Sequence, residues 1–443
     1  MHVGANPTPP LDTSVMTTSS SARVAAPPLP WAGLLAIAVA TFLSISCEML
    51  PTGLLTEMSV GLHASESAVG LLVSVFAFTV VLTSTLLTQL TKRIPRHRLI
   101  VALIVVLAIS AAFTAVAPTY GWVVASRVVG GLAHGVFWAV GGAYAAHLVP
   151  RQQVGRALAI SMSGGTLAFV LGVPLGTALG QAIGWRPTFG VLSILLAVGS
   201  LVVWRFLPSV PLTHDDEGDL AGLSTPVGPG ALTTDSIRVI TPREAEQARR
   251  VSRATTPSVL AVVLTCIVTG IMMIGHYSFY TYVSPFLTQV SGIGTGDLSV
   301  ALFAYGLAGG VGLLLVGWFL SRRPTTSIPV AIGLTAVVAV LLATFEGHAV
   351  PSFVAFVVLG VVFGVLPPLL QTRVLQVAPA RIRDLSSAFY TSSFNAGIGG
   401  GALIGAIVLA GSGLGALPIF YVTVAAVVFV VVLVTNRVLA GRR

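Results

Sequence analysis

Acidic side chains are scarce in this chain. There are 14 in 443 residues, and a single one, Glu48, lies inside a long apolar run. Charge of either sign amounts to 8% of residues, against about 25% in a soluble domain, so water is not the main solvent of the folded surface. Cysteine is scarcer still. Cys47 and Cys266 both sit in apolar segments, which leaves no disulfide framework and no Cys/His spacing of a zinc site, only small buried hydrophobes. The Gly-rich run Gly397-Ile-Gly-Gly-Gly401 has no strand before it and no P-loop lysine, which excludes a nucleotide cradle.

What is abundant is apolar sequence, 55% of residues with a mean hydropathy of +0.95. A bilayer span takes about 20 such residues. Twelve stretches qualify: 31–55, 67–90, 99–117, 120–148, 155–182, 187–207, 258–288, 297–320, 327–345, 351–377, 384–410 and 414–437. The expected fold class is an all-α membrane protein of twelve transmembrane helices in two six-helix bundles. Residues 1–30, rich in Ser, Thr, Pro and Ala, read as a disordered cytoplasmic tail rather than a secretory signal, because the first apolar run starts only at Trp31. Residues 208–257 read as a polar cytoplasmic linker between an N-terminal bundle, 31–207, and a C-terminal bundle, 258–437, with a short cytoplasmic tail at 438–443.

The net charge of +9 is explained by position. With the N-terminus inside, twenty of the 23 Lys and Arg fall in inner segments, one (Arg186) falls outside, and Arg127 and Arg373 lie within spans. That bias supports an even number of helices in a cell membrane, with both termini cytoplasmic. It also removes any need to invoke nucleic acid as a partner.

Sliding the chain against itself by 229 residues pairs Arg93 with Arg322, Pro95 with Pro324, Gly131 with Gly360, Gly135 with Gly364 and Pro150 with Pro379. It further pairs Gly172 with Gly401, Gly176 with Gly405 and Gly184 with Gly413. Glycine and proline fix backbone shape, so this is a repeat of architecture. Two parallel six-helix halves with a site between them near the midplane is a transporter plan.

Glu48 is the outstanding side chain. A carboxylate at membrane depth costs about 2.5–3.5 kcal/mol on insertion scales, so it marks a function. Thr41, Ser44, Glu48 and Thr52 recur at helical spacing and form one polar stripe, expected to line an inner cavity. Arg127, Gly131, His134 and Trp138 share a face of the fourth helix, and His134 and His276 are imidazoles that can titrate near neutral pH. Tyr277, Tyr280, Tyr282, Phe279 and Phe286 surround His276, with Phe137 and Trp138 on the fourth helix. Rings with polar tips suit amphipathic organic molecules and sugars. Packing alone explains any one ring equally well. Arg373, near the inner end of the tenth helix after Pro367-Pro368, reads as an interface anchor. Ser387, Thr391 and Asn395 form a stripe on the eleventh helix, expected at the cavity.

Several segments carry a resemblance. They are Ser46-Cys-Glu-Met-Leu-Pro51 with Gly53-Leu-Leu, Arg127-Val-Val-Gly-Gly-Leu-Ala-His134-Gly, Leu171-Gly-Val-Pro174-Leu-Gly176, Phe279-Tyr-Thr-Tyr-Val-Ser-Pro285-Phe, Gln371-Thr-Arg373 and Ser393-Phe-Asn395-Ala-Gly-Ile. On these the chain resembles the major facilitator superfamily, in its twelve-helix drug:proton antiporter branch, and bacterial sugar-efflux and chloramphenicol-efflux permeases in particular. The resemblance implies a proton-transfer or carboxylate-poising role for Arg127. It also implies a conformational antiporter motif at Gly172, Pro174 and Gly176, and a gating loop at Lys92 and Arg93. The loop Leu87-Thr-Gln-Leu-Thr-Lys92-Arg93 lacks the Gly and Asp usual there, and Gly172-Val-Pro174-Leu-Gly176-Thr departs from the usual spelling of its motif.

The functional expectation is a proton-coupled antiporter exporting small organic molecules, such as sugars or drugs, by alternating access. Glu48, Arg127 and His134 are the proton-coupling residues. Glu48, Thr41, Ser44, Trp138, His276, Tyr280 and Asn395 are the candidate substrate contacts. The partners are a small-molecule substrate, protons and the lipid bilayer, with the chain acting as a monomer. No cofactor or metal is called for, the proton gradient being the driving force. No nucleophile and base are paired on one helix, so an enzyme is not expected. The alternatives are a passive facilitator of the same fold, which would ignore a pH gradient, and a non-transporting membrane sensor. The tail and the linker give the sensor no signalling domain.

Overall fold

The computed structural model describes residues 29–150, 153–209, 258–322 and 324–441. The tail at 1–28, the linker at 210–257 and residues 442–443 lie outside them, and with them most of the expected tail and linker segments. The described residues form twelve helices long and apolar enough to cross a membrane. They are α1 (Trp31–Gly53), α2 (Glu66–Leu90), α3 (Arg96–Val116), α4 (Tyr120–His147), α5 (Val154–Ile183), α6 (Trp185–Phe206), α7 (Val259–Tyr280), α8 (Leu298–Trp318), α9 (Pro324–Thr344), α10 (Ala349–Val377), α11 (Arg383–Ser412) and α12 (Ala416–Gly441).

Three local departures from the expected spans stand out, and a proline lies behind two of them. The first span ends at Gly53, and a separate short helix, Leu55–Leu62, follows through Leu54 at φ −112°. The seventh α-helix stops at Tyr280 rather than running to 288. Pro285 has no N–H for the carbonyl of residue 281, and the chain continues through a short turn, Val283–Pro285, and a π-helical turn, Phe286–Val290. In α5 a second π-helical turn, Ala168–Gly172, stands just ahead of Pro174, which likewise withholds a donor.

The repeat seen in the sequence is a repeat of contacts. Within the N-terminal half α4 packs on α2, and within the C-terminal half α10 packs on α8. At these crossings a Cβ on Gly131 would lie 2.9 Å from the Phe76 carbonyl oxygen, and one on Gly360 would collide with the Tyr305 carbonyl. Residues 76 and 305 are themselves 229 apart. In the same way Gly172 of α5 lies against Ser46 of α1, and Gly401 of α11 lies against the backbone of Ile274 in α7. The halves meet where α2 packs on α11 and α5 packs on α8, again a pair related by the repeat.

The face on which α1 begins and α12 ends is termed proximal, and the opposite face distal. At the distal end hydrogen bonds join the halves. Ser284 Oγ donates to the Thr52 carbonyl (2.8 Å), Gln289 Nε2 to Glu66 Oε1 (2.9 Å) and Gln181 Nε2 to the Thr295 carbonyl (2.8 Å). The Tyr282 ring lies against Gly70 of α2.

Candidate functional site

A cavity of about 410 Å³ lies between the halves. Its walls come from α1, α4 and α5 on one side and α7, α8, α10 and α11 on the other. Exposed Gln371, near the end of α10, and exposed Thr391, near the start of α11, lie at its proximal rim. The cavity thus reaches the proximal face, while the distal end is held shut.

Glu48 lines this cavity, as its isolation in the sequence predicts. Its Oε2 lies 3.3 Å from His134 Nε2, and Oε1, although buried, has no hydrogen-bond partner among the described residues. The other ring nitrogen of His134 is 2.8 Å from Ser44 Oγ. A neutral imidazole donates from one nitrogen and accepts at the other, so Ser44, His134 and Glu48 form a chain along which one proton's position sets the next. Phe76 meets the His134 ring edge-on at 5.1 Å, and Trp138 lies 6.1 Å from it.

Arg127 is 1% exposed and does not line the cavity. Its guanidinium lies 4.2 Å from the Phe76 ring centre and donates to two backbone oxygens of α1, Cys47 O at 2.8 Å and Glu48 O at 2.7 Å. It holds the strand of backbone behind the acid rather than the carboxyl oxygens.

The remaining expected positions divide. Trp138 and Asn395 line the cavity, and Asn395 Nδ2 donates to the Thr391 carbonyl at 2.9 Å. Thr41 was expected at the wall and is not there. It is buried between helices, with its hydroxyl donating to Ile37 O at 2.9 Å. Thr52 likewise turns to Met49 O. Ser44 reaches the site through His134 alone. His276 and Tyr280 also sit one layer behind the wall, because ring-on-ring packing within the C-terminal half buries them to 1% exposure each. Gly172 and Gly176 lie along the α5 face that meets α1, the helix carrying Glu48, where a Cβ on Gly176 would strike Leu50, and Pro174 between them is buried. Lys92 and Arg93 are exposed at the proximal turn between α2 and α3. Among the described residues no three His, Cys, Asp or Glu side chains gather closely enough to hold a metal ion.

Apart from Tyr277, the aromatic wall opposite Glu48 was missed in the sequence. It consists of Tyr277, Tyr305, Phe363, Tyr390 and Phe394, with Phe169 from α5. The offset of 229 contains the signal. It carries Glu48 to Tyr277, Phe76 to Tyr305, Arg127 to Phe356 and His134 to Phe363. The ring contacts repeat as well: Tyr305 stacks on Phe356 at 4.7 Å where Arg127 covers Phe76. One half presents acid, imidazole and guanidinium, and the other presents aromatic rings in the matching places.

The chain is similar to known transporters over nearly its whole length. A probable sugar efflux transporter of Helicobacter pylori (strain ATCC 700392 / 26695) is 30% identical over 377 residues, covering 85% of this chain and 88% of the relative. One from Helicobacter acinonychis (strain Sheeba) is 31% identical over the same length and coverage. Among solved structures, a bacterial homolog of the human lysosomal transporter Spinster, inward-facing and unoccupied, superposes with a TM-score of 0.64 at 16% identity, covering 94% of this chain and 96% of that one. A peptide transporter, POT, in complex with sulfate superposes at 0.68 with 13% identity, covering 93% and 94%. At those identities the likeness concerns the fold. The family profile for the Major Facilitator Superfamily matches residues 37–402 and 265–441. Twelve spans in two repeated halves around a cavity, the motif segments at Glu48 and Arg127, and this match agree, and the chain belongs to the Major Facilitator Superfamily of membrane transporters.

Proposed function

We propose that this transporter exports small hydroxylated or amphipathic organic molecules, sugars first among them, in exchange for protons. The observation that carries the reading is the Glu48–His134 pair at the cavity wall, 3.3 Å apart. A carboxylate at membrane depth is costly unless it is protonated or hydrogen-bonded. Glu48 Oε1 is buried and without a partner among the described residues, so it takes either a proton or a donor group of the cargo. Two ligands that discharge the same carboxyl displace one another, and that competition couples their opposite fluxes. His134 relays the proton between Glu48 and Ser44, and Arg127 fixes the backbone that carries the acid. The names of the Helicobacter relatives support a sugar-like cargo.

The basic loops support a cytoplasmic proximal face, which makes the cavity open inward in this conformation. Rocking of the halves breaks the distal hydrogen bonds and opens the cavity outward. The chain works as a single copy and needs no cofactor beyond the proton gradient.

The test is transport in proteoliposomes under an imposed pH gradient, with a panel of sugars and small drugs. Glu48→Gln is expected to abolish gradient-driven accumulation while exchange without a gradient continues. Accumulation equal to wild type in that variant sinks the reading. Wild-type exchange that ignores the gradient reassigns the chain to the passive facilitators.

A further inference from the structure

A smaller hollow opens away from the transport cavity, on the outer surface of the C-terminal half. It is a groove of about 90 Å³ between α7, α9, α10 and α12. Val268, Ile328, Leu370 and Val428 form its buried floor, and exposed Ile267, Ile271, Val427 and Val431 form its rim. The Ser258 amide donates to the Val377 carbonyl at 2.9 Å, which sets the start of α7 beside the end of α10 at the proximal face. From Ala261 to Ile271 the groove follows α7 for about 15 Å, half the thickness of a hydrocarbon core. It is thus as long as one leaflet and lies in the proximal one. Thr265 turns its hydroxyl back onto the Ala261 carbonyl at 2.7 Å, so the deeper part is apolar throughout. The one charged side chain among the described residues that line the groove is Arg373, at its proximal end, one turn before Val377.

The surroundings dictate what fills such a hollow. Water does not enter an apolar groove in hydrocarbon, and an empty groove forfeits dispersion contacts along its walls. An acyl chain matches it in length and polarity. Arg373 then stands at the depth of the lipid phosphate. It keeps a contact of its own within the protein, yet a guanidinium carries five N–H donors and takes a phosphate with two of them. Basic pockets between spans hold anionic head groups in this way, and the basic proximal loops draw anionic lipid to the same leaflet. We infer that the groove is a binding site for an anionic phospholipid, with an acyl chain along α7 and α12 and the phosphate on Arg373. Leu370 and Arg373 of α10 face the groove, whereas Gln371 of the same helix lines the transport cavity. The lipid therefore packs on the outer side of a cavity wall. The inference does not depend on the cargo or on proton coupling.

The test is photo-crosslinking of the purified full chain in phosphatidylcholine nanodiscs, followed by peptide mapping. The probes are phosphatidylglycerol and phosphatidylcholine, each carrying a diazirine midway along one acyl chain and each added in trace amount. In wild type the label is expected on the stretches 261–271 and 427–435. The phosphatidylglycerol probe is expected to label them about fivefold more than the phosphatidylcholine probe, the effect of one arginine on a net anionic head group. Arg373→Gln is expected to remove that preference while both probes still label. Arg373→Lys keeps the charge without the fork and is expected to retain part of it. Ile267→Trp fills the groove from its exposed rim and is expected to lower both labels with Arg373 in place. Excess glycerol 3-phosphate is expected to change nothing. The inference is overturned if label spreads evenly over the lipid-facing helices, if wild type shows no preference or if Arg373→Gln keeps it. It is overturned equally if Ile267→Trp labels like wild type, or if glycerol 3-phosphate displaces the lipid, which would make this a site for a free anion.

Discussion

Arg127 gives the Cys47 carbonyl the hydrogen bond that the helix itself cannot. In an unbroken α-helix the N–H of residue 51 would bond to the oxygen of residue 47. Residue 51 is proline, inside α1, and has no N–H. The orphaned oxygen is buried at membrane depth, where no water can serve it. Arg127 Nη1 fills the gap at 2.8 Å, and Nη2 takes the next carbonyl.

This pairing predicts non-additive stability. Arg127→Met leaves the Cys47 oxygen unsatisfied and is expected to cost about 1–3 kcal/mol. In a Pro51→Ala background the new N–H serves that oxygen, and the same arginine change is expected to cost about 1 kcal/mol less. Unfolding of the four members of the cycle in micelles measures the coupling. Equal costs in both backgrounds would show that Arg127 acts elsewhere.

The glycines of α5 and α6 predict opposite responses to one methyl group. A Cβ on Gly164 would collide with the Ala38 carbonyl of α1, a backbone atom that cannot swing away, whereas a Cβ on Gly190 meets nothing within 4 Å. Gly190→Ala is expected to raise stability by about 0.5–1 kcal/mol through helix propensity. Gly164→Ala is expected to lower it by about 1–3 kcal/mol as α1 and α5 are forced apart. Thermal melts of the two variants beside wild type should bracket it.

Glu57, in the short helix after α1 and outside the spans, predicts a pH dependence. Burial pushes its carboxyl above the usual carboxylate range, with a smaller opposing pull from its own backbone, and its Oε2 is buried without a partner among the described residues. The folded state therefore holds the proton more tightly than the unfolded one. That stabilisation is complete below the unfolded value of about 4.3 and is lost as pH rises through the folded value. Glu57→Gln is thus expected to melt higher than wild type at pH 7 and equal to it near pH 4. A gain that persists unchanged at pH 4 would contradict this account.

Span number was legible because each helix must satisfy its own backbone in lipid, which ties fold to the length of apolar runs. The two-half plan was legible in the offset that pairs Gly131 with Gly360 and Gly172 with Gly401. The π-helical turns at Ala168–Gly172 and Phe286–Val290 were not, since a proline says where a donor is missing and leaves open how the chain adjusts. Within the site, Glu48 announced itself by isolation. Thr41 and Thr52 share its stripe, yet periodicity tells which side chains face one way and not what they meet. Their hydroxyls close back on α1. Tyr305 and Phe363 carry no local signal that sets them apart from other rings in apolar helices. Only their repeat relation to Phe76 and His134 distinguishes them.

The glycine crossings have a mechanical consequence. Where Gly360 meets Tyr305 and Gly364 meets Gly309, main chain rests on main chain, with no side chain between to change rotamer. Such joints do not yield, so each six-helix half behaves as a stiff block. At the distal end of the seam between the blocks the halves are joined by hydrogen bonds from Ser284, Gln289 and Gln181, contacts that can break while these joints hold. A hinge built this way needs no soft element inside either block.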